Sequence, residues 1–229
     1  MGSIRENIAR IEERIRRACD AAGRAREGVR LMAVSKLQPE ERIREAIGLG
    51  LRLFGESRVQ ETKSRRSLFP EDAEVHLIGH MQRNKAKDAV QLYTAIQSID
   101  AIRTVDALVN ARDETTPPID LCIEVNTSGE ESKYGVHGYD ELRLLAEKIE
   151  ETPGFALRGL MTIGPLTGDE PAIRHAFATL REMRDRLAGE TGGTFPELSM
   201  GMSGDLEAAI IEGSTMVRVG TAIFGPRIT

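Results

Sequence analysis

The chain has 229 residues, 40% of them hydrophobic and 29% charged, which suits one globular domain with a full buried core. Its net charge of −5 excludes a strong pull toward nucleic acid or an anionic membrane surface. Two cysteines, Cys19 and Cys122, are too few for a disulfide framework or a zinc site and read as unbridged thiols of a reducing cytosol.

The first expected element is a helix. Ile4, Ile8, Ile11 and Ile15, followed by Ala18, make one apolar stripe among Arg and Glu, and Gly23 is its stop. Strand and helix patterns then alternate. The strands are expected at Leu31–Ser35, Leu51–Gly55, Val75–Gly79, Thr94–Ser98, Ile119–Asn126, Ala156–Thr162, Glu197–Met200 and Met216–Val219. Helical patterns fill the gaps at Glu40–Gly48, Ser57–Arg66, Arg83–Val90, Ala101–Arg112, Tyr139–Glu151, Pro171–Leu187 and Asp205–Glu212. Short, mostly apolar strands such as Leu121-Cys122-Ile123-Glu124-Val125 suit a parallel sheet buried on both faces. Eight strands with seven intervening helices fit an open doubly wound sheet or a (β/α)₈ barrel. The regular eight units, and the lack of Gly-x-Gly-x-x-Gly after the first strand, favour an α/β fold of one TIM-like barrel with an extra N-terminal helix, residues 1–229 forming a single domain.

Lys36 ends the first strand. Strand alternation puts Met32, Val34 and Lys36 on one face. If that face points inward, Lys36 is the last inward residue at the C-terminal mouth, where barrel active sites lie. Partial desolvation there favours a neutral amine able to attack a carbonyl; an exposed strand-end lysine is the other reading. Met202-Ser203-Gly204-Asp205 follows the seventh strand and opens a helix, with Ser203 the expected cap. Gly220-Thr221-Ala222 follows the eighth. Phosphate sites recur after the last two strands of such barrels, where hydroxyls and backbone N–H groups can surround a dianion. Arg218 shares a face with Met216 and Gly220 and needs a partner inside the barrel: a ring nitrogen, or a salt bridge to Glu56 or Glu124. His76 and His80 lie four apart on a strand, which is not a helical metal clamp, and no metal is expected. Lys63, Lys85 and Lys87 read as solvated helix positions. An amine for a Schiff base, joined to a phosphate cradle, points to pyridoxal phosphate (PLP).

Seven blocks carry a resemblance that spans nearly the whole chain: Ala33-Val34-Ser35-Lys36, Phe54-Gly55-Glu56, His76-Leu77-Ile78-Gly79, Gln82-Arg83-Asn84-Lys85, Ser132-Lys133-Tyr134-Gly135, Leu198-Ser199-Met200-Gly201-Met202-Ser203 and Val217 through Gly225. Together they resemble the YggS/PROSC family of PLP homeostasis proteins, whose fold is that of the alanine racemase barrel domain. The resemblance implies that Lys36 forms the aldimine, that Ser203 and Thr221 with the amides at Gly204 and Gly220 hold the phosphate, that Arg218 faces the pyridine nitrogen, and that Met161 lies near the ring. The chain departs from the family at Gly55-Glu56-Ser57-Arg58, where Gly-Glu-Asn-Tyr is usual.

These residues imply a PLP-binding protein for intracellular PLP homeostasis or carriage, with little or no turnover. The alternative is a PLP-dependent amino-acid racemase of the same barrel type. Such racemases have a further C-terminal domain and a tyrosine base acting across a dimer, and the chain, ending four residues after Gly225, is expected to lack both. A phosphate-ester aldolase using Lys36 without cofactor is a third reading. The expected partners are PLP and PLP-dependent apo-enzymes, with no nucleic acid and no membrane, in a monomer or weak dimer. No apolar run reaches the length of a membrane span and the first six residues hold no signal core, so a cytoplasmic location is expected.

Overall fold

A computed structural model describes residues 2–226. Helix α1 (Ile4–Ala21) opens with a capping box: the Glu6 backbone N–H donates to Ser3 Oγ at 3.3 Å, and the Ser3 N–H donates to the Glu6 carboxylate at 2.8 Å. Ile4, Ile11, Ile15 and Ala18 are buried and Ile8 packs beside them, as the stripe requires. There follow β1 (Arg30–Val34), α2 (Glu40–Gly48), β2 (Leu53–Glu56), α3 (Val59–Arg65), β3 (Glu74–Leu77), α4 (Ala86–Leu92), β4 (Ala95–Ile99) and α5 (Ile102–Ala111). The second half continues with β5 (Ile119–Glu124), α6 (Tyr139–Glu150), β6 (Phe155–Met161), α7 (Glu170–Thr191), β7 (Glu197–Ser199), α8 (Leu206–Ile211), β8 (Met216–Val219) and α9 (Thr221–Phe224).

The eight strands are parallel and pair in chain order, and β8 closes onto β1 with Arg30 opposite Met216 and Ala33 opposite Val219. The sheet is therefore the (β/α)₈ barrel and not the open doubly wound alternative.

Several element ends differ from expectation, each for a local reason. Residues Arg83–Lys85 form a tight 3₁₀ turn, so α4 starts later than expected. β5 stops at Glu124 because the chain folds back: Val136 donates its N–H to the Glu124 carbonyl, and Asn126 donates to the Val136 carbonyl. α7 runs through Gly189 and ends where Gly192 takes a left-handed conformation (φ 70°). α9, a single turn after Gly220, was not expected.

Alternation along the strands sorts the core into two bodies. Ala33, Phe54, Leu77, Ile96, Leu121, Leu198 and Val217 face outward and pack under the helices with Ile11, Ile43, Leu108, Leu142, Phe177 and Leu206. Met32, Leu53 and Met216 face inward and, with Ile78, form a separate small cluster. Gly55 is required there, since a Cβ would come 2.6 Å from the Met32 sulfur. The interior also holds buried polar side chains, His76, Gln97, Glu124, Ser199 and Arg218, whereas Glu56 is buried on the outer face of β2, under α3. Among the described residues, no helix is long and apolar enough to cross a membrane.

Candidate functional site

Lys36 sits in the turn just past β1, half-buried. It lines a cavity of about 230 Å³ together with Val34, Ile78, Ile163, Met202, Ser203, Gly204, Arg218, Gly220 and Thr221. Six of the seven predicted site residues, Lys36, Ser203, Gly204, Arg218, Gly220 and Thr221, thus meet at one place. The seventh, Met161, is fully buried at the end of β6 and does not line the cavity; Ile163, two residues on, does. Ser57 lines a different cleft, with Arg58, His80, Lys85 and Tyr134.

The turn that carries Lys36 is held on both sides. Ser35 Oγ donates to Glu56 Oε1 at 2.5 Å, and the Leu37 N–H donates to Glu61 Oε1 at 2.8 Å. Both carboxylates are bound by Arg65, at 2.5 Å for Glu56 and 2.9 Å for Glu61. Arg65 also donates to the Ser35 carbonyl at 3.2 Å. Leu37 itself takes a left-handed conformation (φ 59°), uncommon for a residue with a branched side chain, and sustained here by this network. Burial pushes the Glu56 carboxyl up from its ordinary value, and Arg65 and Ser35 oppose that shift. Sequence reasoning missed Arg65, because its place on a helix made it look solvated.

The phosphate-type loops meet as expected, though not through the expected cap. α8 starts at Leu206 with Asp205 before it, and the Asp205 carboxylate accepts from the Met202 N–H at 2.5 Å. Ser203 therefore does not cap the helix. Its hydroxyl lies 3.4 Å from Thr221 Oγ1, so two hydroxyls from neighbouring loops converge at the cavity wall. Arg14 of α1 braces this loop: it donates to the Ser203 carbonyl at 3.0 Å and makes a two-pronged pair with Glu207 at 2.6 and 2.7 Å. At Gly220 a Cβ would come 3.3 Å from the Val34 carbonyl oxygen, so a side chain there would crowd β1.

Arg218 is buried and lines the inner end of the cavity. It donates to the Ser199 carbonyl at 2.6 Å, to Ser199 Oγ at 2.9 Å and to the Thr162 carbonyl at 2.7 Å. These use three of the five N–H groups of a guanidinium, which leaves donor capacity on a side chain that lines the cavity. Neither expected salt bridge forms. Glu56 is taken by Arg65, and Glu124 acts on Arg218 only through its field. Burial pushes the Arg218 guanidinium down to about 10, opposed by Glu124 and then Asp205, so it stays charged at neutral pH. Burial likewise pushes Glu124 up to about 7, with Arg218 opposing and Asp100 adding to the rise. His76 and His80 turn to different partners: His76 to Gln97 and Glu74, and His80 to Asp100 and the face of Tyr134.

The alanine racemase N-terminal domain family matches residues 6–227. A pyridoxal phosphate homeostasis protein of Pseudomonas aeruginosa is 42% identical over 228 residues, covering 99% of this chain and 97% of that one. This chain belongs to the pyridoxal phosphate homeostasis protein family. Among solved structures, PipY of Synechococcus elongatus with PLP bound is similar at a TM-score of 0.80 and 33% identity, over 93% of this chain and 100% of that chain. Alanine racemase of Corynebacterium glutamicum shares the fold alone, with a TM-score of 0.71 at 19% identity, over 94% of this chain and 61% of that chain. Membership agrees with the resemblance carried by the seven sequence blocks.

Proposed function

We propose that the chain holds PLP at the mouth of the barrel and serves its intracellular homeostasis or carriage, with little or no turnover. The observation that carries this reading is the meeting of Lys36, the Ser203 and Thr221 hydroxyls and Arg218 around one cavity. The homeostasis-protein name of the relatives and the PLP bound in PipY support it.

The residues fit the group chemically. PLP, when bound, supplies an aldehyde and an electron-withdrawing ring. Lys36 provides the amine that attaches the aldehyde. Ser203 and Thr221, with the backbone amides at Gly204 and Gly220, provide the donors a phosphate dianion needs. Arg218, which lines the same cavity, would donate to the ring nitrogen and so hold it unprotonated, which would weaken the ring as an electron sink. Racemisation needs a proton donor and an acceptor on opposite faces of one carbon. Among the described residues that line the cavity, the ionisable side chains are Lys36 and Arg218, and Arg218 is held by backbone carbonyls. This favours carriage over the racemase reading. PLP-dependent apo-enzymes are the recipients we infer.

The test is direct. Purified protein mixed with PLP is reduced with borohydride and mapped by mass spectrometry, and the same preparation is incubated with L-alanine while chirality and keto acid are followed. We expect the reduced adduct on Lys36, negligible turnover, and transfer of PLP to an apo-enzyme. An adduct found mainly on Lys63, Lys85 or Lys133 would sink the site assignment. Robust racemisation abolished by Lys36→Ala would restore the enzyme.

A further inference from the structure

Below the cavity, four polar side chains of the barrel interior, Arg218, Ser199, Gln97 and His76, form one continuous chain of hydrogen bonds. Arg218 Nη1 donates to Ser199 Oγ at 2.9 Å, and Ser199 Oγ donates to Gln97 Oε1 at 2.6 Å. Gln97 Nε2 lies 2.9 Å from His76 Nδ1, and His76 Nε2 lies 3.4 Å from Glu74 Oε2. Glu74 ends the chain in an ion pair with Arg30 at 2.5 Å, on the opposite side of the barrel from the mouth. Ser199, Gln97, His76 and Arg218 are buried.

The donor chemistry fixes the direction of every link. An amide Nε2 can only donate, so His76 Nδ1 is bare and accepts, and the ring proton sits on Nε2, facing Glu74. The Gln97 oxygen accepts, so the Ser199 proton points at it, and the Ser199 oxygen lone pairs are turned toward Arg218. Each link polarises the next from the cation at the mouth to the carboxylate at the floor. Glu74 suits that end: the bond from His76 and then Arg30 hold its carboxyl at about 2, well below the usual carboxylate range. Reversing any link would set two donors, or two acceptors, against each other in a buried space.

We propose that Gln97 and His76, which do not line the cavity, are positioning residues that aim Arg218 at the ring nitrogen of the cofactor. They do so by holding the Ser199 hydroxyl as an acceptor, which pins one arm of the guanidinium and turns its remaining N–H groups to the cavity. The inference rests on the reading that this cavity takes PLP.

The experiment compares PLP with an analogue whose ring nitrogen is replaced by C–H, on the full chain and on Gln97→Leu, by equilibrium dialysis. The unmodified protein should bind PLP more tightly than the analogue. Gln97→Leu should weaken PLP about tenfold, as for loss of one well-aimed charged hydrogen bond, and leave the analogue within about twofold. Equal weakening of both ligands, or of neither, overturns the inference while the PLP reading stands. Failure of the unmodified protein to bind PLP overturns both. A second measurement needs no variant: nitrogen NMR of protein labelled at histidine. We expect His76 with a bare Nδ1 and a proton on Nε2, and an Nδ1 resonance that moves on adding PLP but not on adding the analogue. A proton on Nδ1, or a resonance indifferent to PLP, overturns the inference even if Gln97→Leu does not fold.

Discussion

Arg65 bonds Glu56 at 2.5 Å, and Glu56 takes the Ser35 hydroxyl at the same distance, so a fully buried ion pair ends one residue before Lys36. The lysine is thus mounted on an electrostatic anchor that bridges the ends of β1 and β2 and the helix α3. Arg65→Met would leave the Glu56 carboxylate in the interior without its cation. We expect a loss of about 3–5 kcal/mol in urea unfolding, the usual consequence of breaking one half of a buried pair, with slower attachment of PLP at Lys36. A loss under ~1 kcal/mol would mean that water reaches the pair and that the anchor is not buried in solution.

The two hydroxyls at the cavity wall should discriminate by phosphate. Ser203→Ala with Thr221→Ala should weaken PLP by about 1–3 kcal/mol, the range for hydrogen bonds to a charged group. Pyridoxal, which lacks the phosphate, should bind the variant and the parent alike in a titration. Equal losses for the two ligands would exclude a phosphate-specific role.

Arg14 gives the N-terminal helix a stake in the site. Its contacts with the Ser203 carbonyl and Glu207 tie α1 to the loop before α8. The pair is partly exposed, so Arg14→Ala should cost the fold only about 1 kcal/mol or less. It should nevertheless weaken PLP by about threefold to tenfold, for a cradle that loses one of its supports, and spare pyridoxal. A thermal melt and the two titrations separate these effects. An unaltered PLP affinity would reduce α1 to packing.

Glu124 sets a pH dependence whose sign follows from its burial. Its folded value of about 7 lies above the ordinary 4.5. A raised carboxyl contributes stability that is fully present below pH 4.5 and is lost as the pH rises through 7. Glu124→Gln should therefore become more stable relative to the parent between those limits, by roughly 3 kcal/mol at ~1.4 kcal/mol per unit. Urea midpoints measured across that window check it; a parent and variant that stay parallel would show Glu124 already charged in the folded chain.

The fold was legible because period and turn signals repeat eight times, and eight such units have few ways to close. Alternation also told the faces of β1 and β8 apart, which is why Lys36 and Arg218 were expected to point into the same mouth. What alternation does not reveal is who meets whom inside the barrel. Arg65 reads as one more cation on a helix surface until α3 is docked against β2. Gln97 and His76 read as stray polar residues on apolar strands until the strands close and line them up with Ser199. Ser203 looked like a helix cap because it lies between a strand and a helix, where Ser often caps; the Asp205 carboxylate accepts the loop N–H of Met202 instead, and the Ser203 hydroxyl lies beside Thr221. Met161 was expected from the resemblance alone; Ile163, two residues further along, lines the cavity instead.

The pairing of β8 with β1 has a consequence for how the protein is born. Lys36 leaves the ribosome early, whereas the Arg218 and Thr221 that complete its surroundings belong to the last strand and the turn after it. Until that strand docks, the amine has no cradle beside it and the Arg218 guanidinium has no carbonyls to hold it. If PLP sits at the proposed site, a chain whose β8 has not yet docked on β1 would lack the donors that hold it, and loading would be a property of the closed barrel.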